Sequence, residues 1–163
     1  MKTILLLLLA IPAVAAATTA CSRSRPSTDR SKVLEQVFPF QDAHAQAAKF
    51  IGYYDSIKLS SEQEKIKESA LSTIPAPCCG EYSIATCCCP CNLAKSVWGL
   101  SHYLIAKAGF NTEELRQAVS EWIQFTNPGG YTGDACHNGG CKRPFEKNGC
   151  GGMDAKNISL HPF

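Results

Sequence analysis

Neither sign of charge dominates this chain: 16 Lys and Arg stand against 14 Asp and Glu, and the formal net charge of +2 includes Lys2. The basic residues form no stripe and no patch interleaved with aromatics, which excludes nucleic acid as a partner on the usual electrostatic grounds. The sequence also lacks a Ser/His/Asp ordering, a glycine-rich phosphate loop and a carboxylate pair set for acid–base work, so enzymatic turnover has no support in it. There is no internal repeat and no alternation of strand and helix patterns. The one long hydrophobic run, Ile4 to Ala17, is broken by Pro12 and falls short of the roughly 20 residues that a spanning helix needs.

That run follows Met1-Lys2-Thr3 and reads as a signal peptide over residues 1–20,. Thr18-Thr19-Ala20-Cys21 resembles a lipobox, in which Cys21 is acylated and becomes the first mature residue; ordinary cleavage after Ala15-Ala16-Ala17 is the alternative. Ser22-Arg23-Ser24-Arg25-Pro26-Ser27-Thr28 offers no apolar residue to bury and suits a solvated tether, so residues 21–41 are expected to be an anchor segment with one short helix,. The remaining chain, residues 42–163, is long enough for a single domain with a modest core,.

Apolar spacing predicts an all-α domain. Val33, Leu34, Val37 and Phe38 mark a first helix over residues 29–38, closed by Pro39,. Asp42 caps a second, with Ala43, Ala47, Phe50, Ile51 and Tyr54 on one face,. Ser61 and Glu64 form a capping box for a third, carrying Ile66, Ala70 and Leu71 and ended by Pro75 and Pro77,. The strongest stripe, Leu93, Val97, Leu100, Leu104 and Ile105, predicts a central helix from Asn92 to Phe110 with Gly109 at its end,. Asn111 and Glu114 cap a last helix with Leu115, Val119, Trp122, Ile123 and Phe125, stopped at Asn127-Pro128-Gly129-Gly130,. Beyond it lies an irregular Gly/Cys-rich tail that cysteines would have to hold in place.

What the chain has in abundance is cysteine. Cys78-Cys79 and, after seven intervening residues, Cys87-Cys88-Cys89-Pro90-Cys91 put six thiols in a short stretch; Cys136, Cys141 and Cys150 follow in the tail. Adjacent cysteines are poorly placed to pair with each other, and nine cysteines besides Cys21 is an odd number, so disulfides cannot account for all of them,. With Pro90 at a first helical position and Cys89 near the cap, the amides of the helix start should lower the pKa of Cys88, Cys89 and Cys91. Thiolates bind soft metals and attack disulfides, so three readings follow. Cys78, Cys79, Cys87, Cys88, Cys89, Cys91, Cys136, Cys141 and Cys150 are candidate ligands for a thiophilic ion, Cu(I) by preference because it accepts two or three thiolates in irregular loops, with Zn(II) or Hg(II) as alternatives. Cys88-Cys89-Pro90-Cys91 has the order of a thioredoxin active site, which makes a membrane-anchored thiol–disulfide oxidoreductase using Cys88 and Cys91 the second reading. A domain stapled by disulfides is the third.

The other polar candidates are weaker. Cys136-His137 has Gly133 where covalent haem needs an earlier cysteine. Met153 is a soft donor but stands alone. His102 is about 16 Å along the helix from Cys91 at standard rise, too far to share an ion with it, and is expected to be a core or boundary histidine. His44 and His161 belong to no motif and are expected to be solvated, whereas Trp98 and Trp122 fall at core positions.

The sequence Ile74-Pro75-Ala76-Pro77-Cys78-Cys79-Gly80, the later cysteine run and the helix start Thr112-Glu113-Glu114-Leu115-Arg116 resemble in layout the bacterial lipoproteins with a Pro-Cys-Tyr-Cys-Gly-Cys motif, over roughly residues 40–128. The motif itself differs, since Cys78 and Cys79 are adjacent. The resemblance implies an exported, membrane-anchored cysteine-cluster lipoprotein facing the periplasm or cell exterior. The thiol cluster, and not the resemblance, carries the expectation that the protein sequesters a soft metal ion or passes it to a membrane metal transporter.

Overall fold

A computed structural model describes residues 27–156 and residue 158. The expected signal peptide, the acylation site Cys21, most of the tether and His161 lie outside the described residues. Five helices carry the fold: α1 Ser27–Glu35, α2 Ala43–Ser56, α3 Ser61–Leu71, α4 Asn92–Tyr103 and α5 Thr112–Thr126. The all-α expectation holds for this framework and needs one addition. Pro75–Ala76 (β1) and Cys79–Ser83 (β2) pair as an antiparallel ribbon with an irregular register, Pro75 opposite Ser83 and Ala76 opposite Cys79.

The core sits where α2 crosses α4. Phe50, Leu71, Leu93, Val97, Leu100, Leu115, Val119 and Trp122 are all fully buried there, each contributing about 1.5–3 kcal/mol of apolar burial. Gly99 is what lets the two helices approach: a Cβ built on it would lie 1.7 Å from the carbonyl oxygen of Phe50. Trp122 is buried with its indole N–H donating to Ser96 Oγ at 3.0 Å, and the Ser96 hydroxyl donates in turn to the Leu93 carbonyl at 2.8 Å. A polar pair is thus satisfied inside the core. The half-buried Trp98 packs against Tyr54 and donates its indole N–H to the Ile84 carbonyl at 2.8 Å.

The caps follow the expected chemistry with one shift. Asp42 accepts from the amides of His44 and Ala45, and Asn111 with Glu114 closes a reciprocal box on α5. On α3 the box belongs to Ser60 and Gln63, one residue earlier than Ser61 and Glu64. Either pair satisfies the motif, and the residue that leaves the helix first takes the role. Helix α1 ends at Glu35, earlier than expected, and is followed by a turn in which the amides of Val37 and Phe38 both reach the Leu34 carbonyl. Helix α4 passes into a π-helical turn over Leu104–Ala108, and Gly109, at φ 69°, ends it in the left-handed conformation that favours glycine,.

The tail is irregular, as expected, but backbone pairing as well as cysteine contacts hold it to the body. The amides of Asn92 and Leu93 donate to the carbonyls of Gly152 and Cys150 at 2.9 and 3.0 Å. Near the ribbon, Gly80 N–H donates to Gly133 O at 2.6 Å and Cys136 N–H to Cys78 O at 2.9 Å. Phe145 is fully buried and stacks on His44, whose Nε2 lies 3.0 Å from Glu146 Oε1. His44 is therefore a packed residue that clamps the tail, not the solvated side chain its sequence context suggests.

Candidate metal centre

Three segments converge at the N-terminal end of α4: the ribbon with Cys78 and Cys79, the loop carrying Cys87, Cys88 and Cys89, and the tail. Cys91 is the N-cap of α4, in extended conformation, and Asn92 opens the helix. Pro90 accordingly stands before the helix and Cys89 before the cap, one to two residues upstream of their expected places. The first helical amides are also taken, because the tail carbonyls of Gly152 and Cys150 accept from Asn92 and Leu93.

All nine described cysteines are thiols without a cross-link, and they form one connected assembly. The sulfurs of Cys78, Cys87 and Cys91 lie within 4.8 Å of one another; so do those of Cys87, Cys88 and Cys89, and those of Cys89, Cys136 and Cys141. Cys89 Sγ and Cys136 Sγ are 3.9 Å apart. Sulfurs that share one ion at about 2.3 Å stand about 3.8–4.0 Å from each other in tetrahedral or trigonal geometry, so each triad needs only small side-chain rotations to close on an ion. The two remaining cysteines touch the assembly from outside the triads. Cys79 hydrogen-bonds to Cys88, and Cys150 to Cys91. Of the tail cysteines, Cys136 and Cys141 thus share a group with Cys89, and Cys150 lies beside Cys91.

Burial grades the assembly. Cys78, Cys79, Cys91 and Cys150 are buried, Cys87, Cys89, Cys136 and Cys141 are half-buried, and Cys88 alone among the nine is exposed. Of the thiols expected to be lowered at the helix start, Cys89 is raised and Cys91 is lowered. Its hydrogen bond to Cys150 and its burial oppose ionisation, but hydrogen bonds received from Cys78 and Cys87 hold its thiol below the ordinary value. Cys78 is pushed far up, because its thiol proton is engaged by Cys87 and Cys91 and because it is buried. Burial likewise raises Cys89, aided by the neighbouring sulfurs of Cys91 and Cys136. Cys136 is pushed up to about 12, again chiefly by burial. Burial and sulfur neighbours are thus what separate Cys89 from its expectation, and the amides of Asn92 and Leu93, which could have offset them, are committed to tail carbonyls,.

Two residues at the site carry no sequence signal as site residues. Asn92 looks like an ordinary helix-start residue, yet its buried Nδ2 donates to the carbonyls of Gly151 and Asp154 at 2.8 and 2.9 Å and ties the tail to α4. Tyr131 stands beside the buried triad, its phenol raised by burial and by the nearby sulfurs of Cys78 and Cys91, and its oxygen lies 3.1 Å from Thr126 Oγ1. An aromatic residue near a Gly-Gly pair reads as a loop feature, so only the fold reveals either role.

The other candidates lie elsewhere. Met153 is 43% exposed, and its carbonyl accepts from Lys95 Nζ. His102 is buried on the far part of α4, with Nδ1 2.8 Å from the Ile57 carbonyl and Nε2 3.1 Å from Lys67 Nζ, the boundary histidine that its distance from Cys91 implies. It lines a polar hollow of about 350 Å³ with Tyr54, Asp55, Lys58, Glu64 and Lys67. A groove of about 340 Å³ between Ile74, Pro77, Gly80, Ile123, Tyr131 and Gly133 flanks the ribbon and contains no cysteine. Among the described residues no helix is long and apolar enough to cross a membrane. No family model matches the chain, and no curated protein or solved structure matches it either.

Proposed function

We propose that this chain is an exported soft-metal-binding lipoprotein, anchored through Cys21, that captures Cu(I) outside the cytoplasm and sequesters it or hands it to a membrane metal transporter. The observation that carries the reading is the Cys78/Cys87/Cys91 triad, three sulfurs within 4.8 Å of one another, two of them buried. A packed interior has no stability reason to gather so many polarizable, weakly hydrogen-bonding groups, whereas a thiophilic ion needs such a gathering. Three sulfurs suit Cu(I), while Zn(II) would have to recruit Cys150, beside Cys91, as a fourth ligand and Hg(II) would be content with fewer,. Within such a site the chain's residues have separable tasks. The buried triad would hold the ion away from water, Asn92 would keep the tail closed over it, and the exposed Cys88 would exchange ions with a donor or acceptor.

The oxidoreductase reading needs Cys88 and Cys91 to act as a pair, and the two share no three-sulfur group; Cys87 lies between them in the network. Elemental mass spectrometry, with free thiols counted before and after chelation on protein lacking residues 1–21, tests the proposal. Stoichiometric copper, with several thiols released on chelation, is the expected result. A metal-free protein with a dithiol that reoxidises reversibly would transfer the assignment to the redox reading, and a metal-free protein with inert paired cysteines would leave a stapled domain.

A further inference from the structure

The three triads are not independent, because Cys87 belongs to two of them and Cys89 to two. Nine ligand places are thereby filled by seven sulfurs, arranged as a chain from the buried Cys78/Cys87/Cys91 group, through Cys87/Cys88/Cys89, to Cys89/Cys136/Cys141. A thiolate that binds one soft ion keeps lone pairs for a second. From this we infer that the site is polynuclear: three Cu(I) ions in a row, bridged by the sulfurs of Cys87 and Cys89 and open to exchange at Cys88. The inference rests on the soft-metal reading given above.

Charge supports the bridged arrangement. A single Cu(I) on three thiolates carries −2, and three such sites built separately would carry −6 in a half-buried region, which is costly to desolvate. Three ions on the seven shared sulfurs of the triads carry −4. Bridging therefore lowers the uncompensated charge per ion. Cys79 stays outside the triads but hydrogen-bonds to Cys88, so as a neutral thiol it can donate to that sulfur, the usual role of a group just outside a metal's ligands, whereas the Cys150 thiol donates to the Gly152 carbonyl at 3.8 Å. Loading is balanced by protons: seven thiols become thiolates as three ions enter, and seven protons pass to the solvent for each chain filled,.

The chain without residues 1–21 retains every described element and is the material for the test. It is reduced, then titrated anaerobically with Cu(I) against a competing chelator, while native mass spectrometry counts ions, a pH-stat counts protons and X-ray absorption reports copper–copper neighbours. Three ions, about seven protons and a copper–copper signal are expected. Cys89→Ser should lower the capacity and weaken the copper–copper signal, and Met153→Leu, at an exposed position outside the triads, should leave three ions. The stoichiometry, proton count and absorption signal of the unaltered protein need no variant and stand if Cys89→Ser does not fold. One ion per chain would overturn the polynuclear site while leaving the soft-metal reading intact. Three ions without copper neighbours would overturn the bridging, and no bound ion would overturn both readings.

Discussion

The amide of Leu93 donates to the carbonyl of Cys150 at 3.0 Å, so the last cysteine of the chain caps the helix that begins beside Cys91. One contact thus performs two tasks. It satisfies a helix-start amide that would otherwise need a side chain or water, and it places the Cys150 sulfur against that of Cys91. The tail is therefore part of the site's construction.

Asn92→Ala should loosen this junction. The substitution leaves the carbonyls of Gly151 and Asp154 without the buried amide that now serves them, at a cost of about 1–3 kcal/mol. Urea unfolding should show that loss. Limited proteolysis of the folded protein should cut the tail faster, and an unchanged cleavage rate would show that the tail is held by something other than this side chain.

Gly99→Ala probes the α2–α4 crossing. The added methyl would have to occupy space within 1.7 Å of the Phe50 carbonyl oxygen, and the neighbours are backbone atoms that cannot rotate aside. Overpacking of this kind costs about 1–3 kcal/mol or more. A clear fall in Tm is expected, and a neutral result would mean that the helices cross farther apart.

What could be read from the sequence was local. Asn111 and Glu114 lie three residues apart and cap α5 as their spacing dictates. The stripe from Leu93 to Ile105 marks α4 and its π-helical continuation, although α4 is buried nearly all round, polar Asn92, Ser96, Ser101 and His102 included. The cysteine run is local in the same sense, since Cys87, Cys88 and Cys89 put their sulfurs within 4.8 Å of one another. The ribbon over residues 75–83 was not legible: β1 has only two residues, β2 is mostly exposed without regular alternation, and Pro75 and Pro77 read as helix stops. His44 finds Glu146 across 102 positions of sequence, and the helix-start amides find tail carbonyls, pairings that no local rule contains. The lowering of Cys91 is as expected, but the rise of Cys89 comes first from burial and then from sulfurs that include Cys136, 47 residues away, which no local rule contains.

His102 should give the fold an acid-sensitive limb. Its imidazole is held below the ordinary value first by burial, then by the nearby Lys67 and Lys58, against the opposing Ile57 carbonyl and Glu64. Nδ1 faces a carbonyl and must carry the proton, which leaves Nε2 to accept from Lys67,. Because the folded pKa lies below the unfolded value of about 6.5, the unfolded chain binds the proton first on acidification. The stabilisation is full above pH 6.5 and is lost as pH falls through the folded pKa. Denaturant melts of the metal-free protein between pH 7.5 and 5 should show the decline, and His102→Gln should flatten it. An identical slope in the variant would place the acid sensitivity elsewhere.

Alkylation separates the functional readings without a metal assay. In the reduced, folded, metal-free protein Cys88 is the exposed thiol, whereas Cys78, Cys79, Cys91 and Cys150 are buried. A pulse of iodoacetamide followed by peptide mass spectrometry should label Cys88 first and the four buried cysteines only after denaturant is added. Cu(I) should protect Cys88 if it is part of the site, because a thiolate engaged by an ion is not available to the reagent. An oxidoreductase would instead lose Cys88 and Cys91 together on mild oxidation and recover both on reduction, whatever the metal content. For that disulfide to form, Cys91 would have to leave its buried place among Cys78, Cys87 and Cys150. In protein oxidised mildly while folded and then denatured for labelling, loss of Cys88 and Cys91 together would count directly against the metal reading.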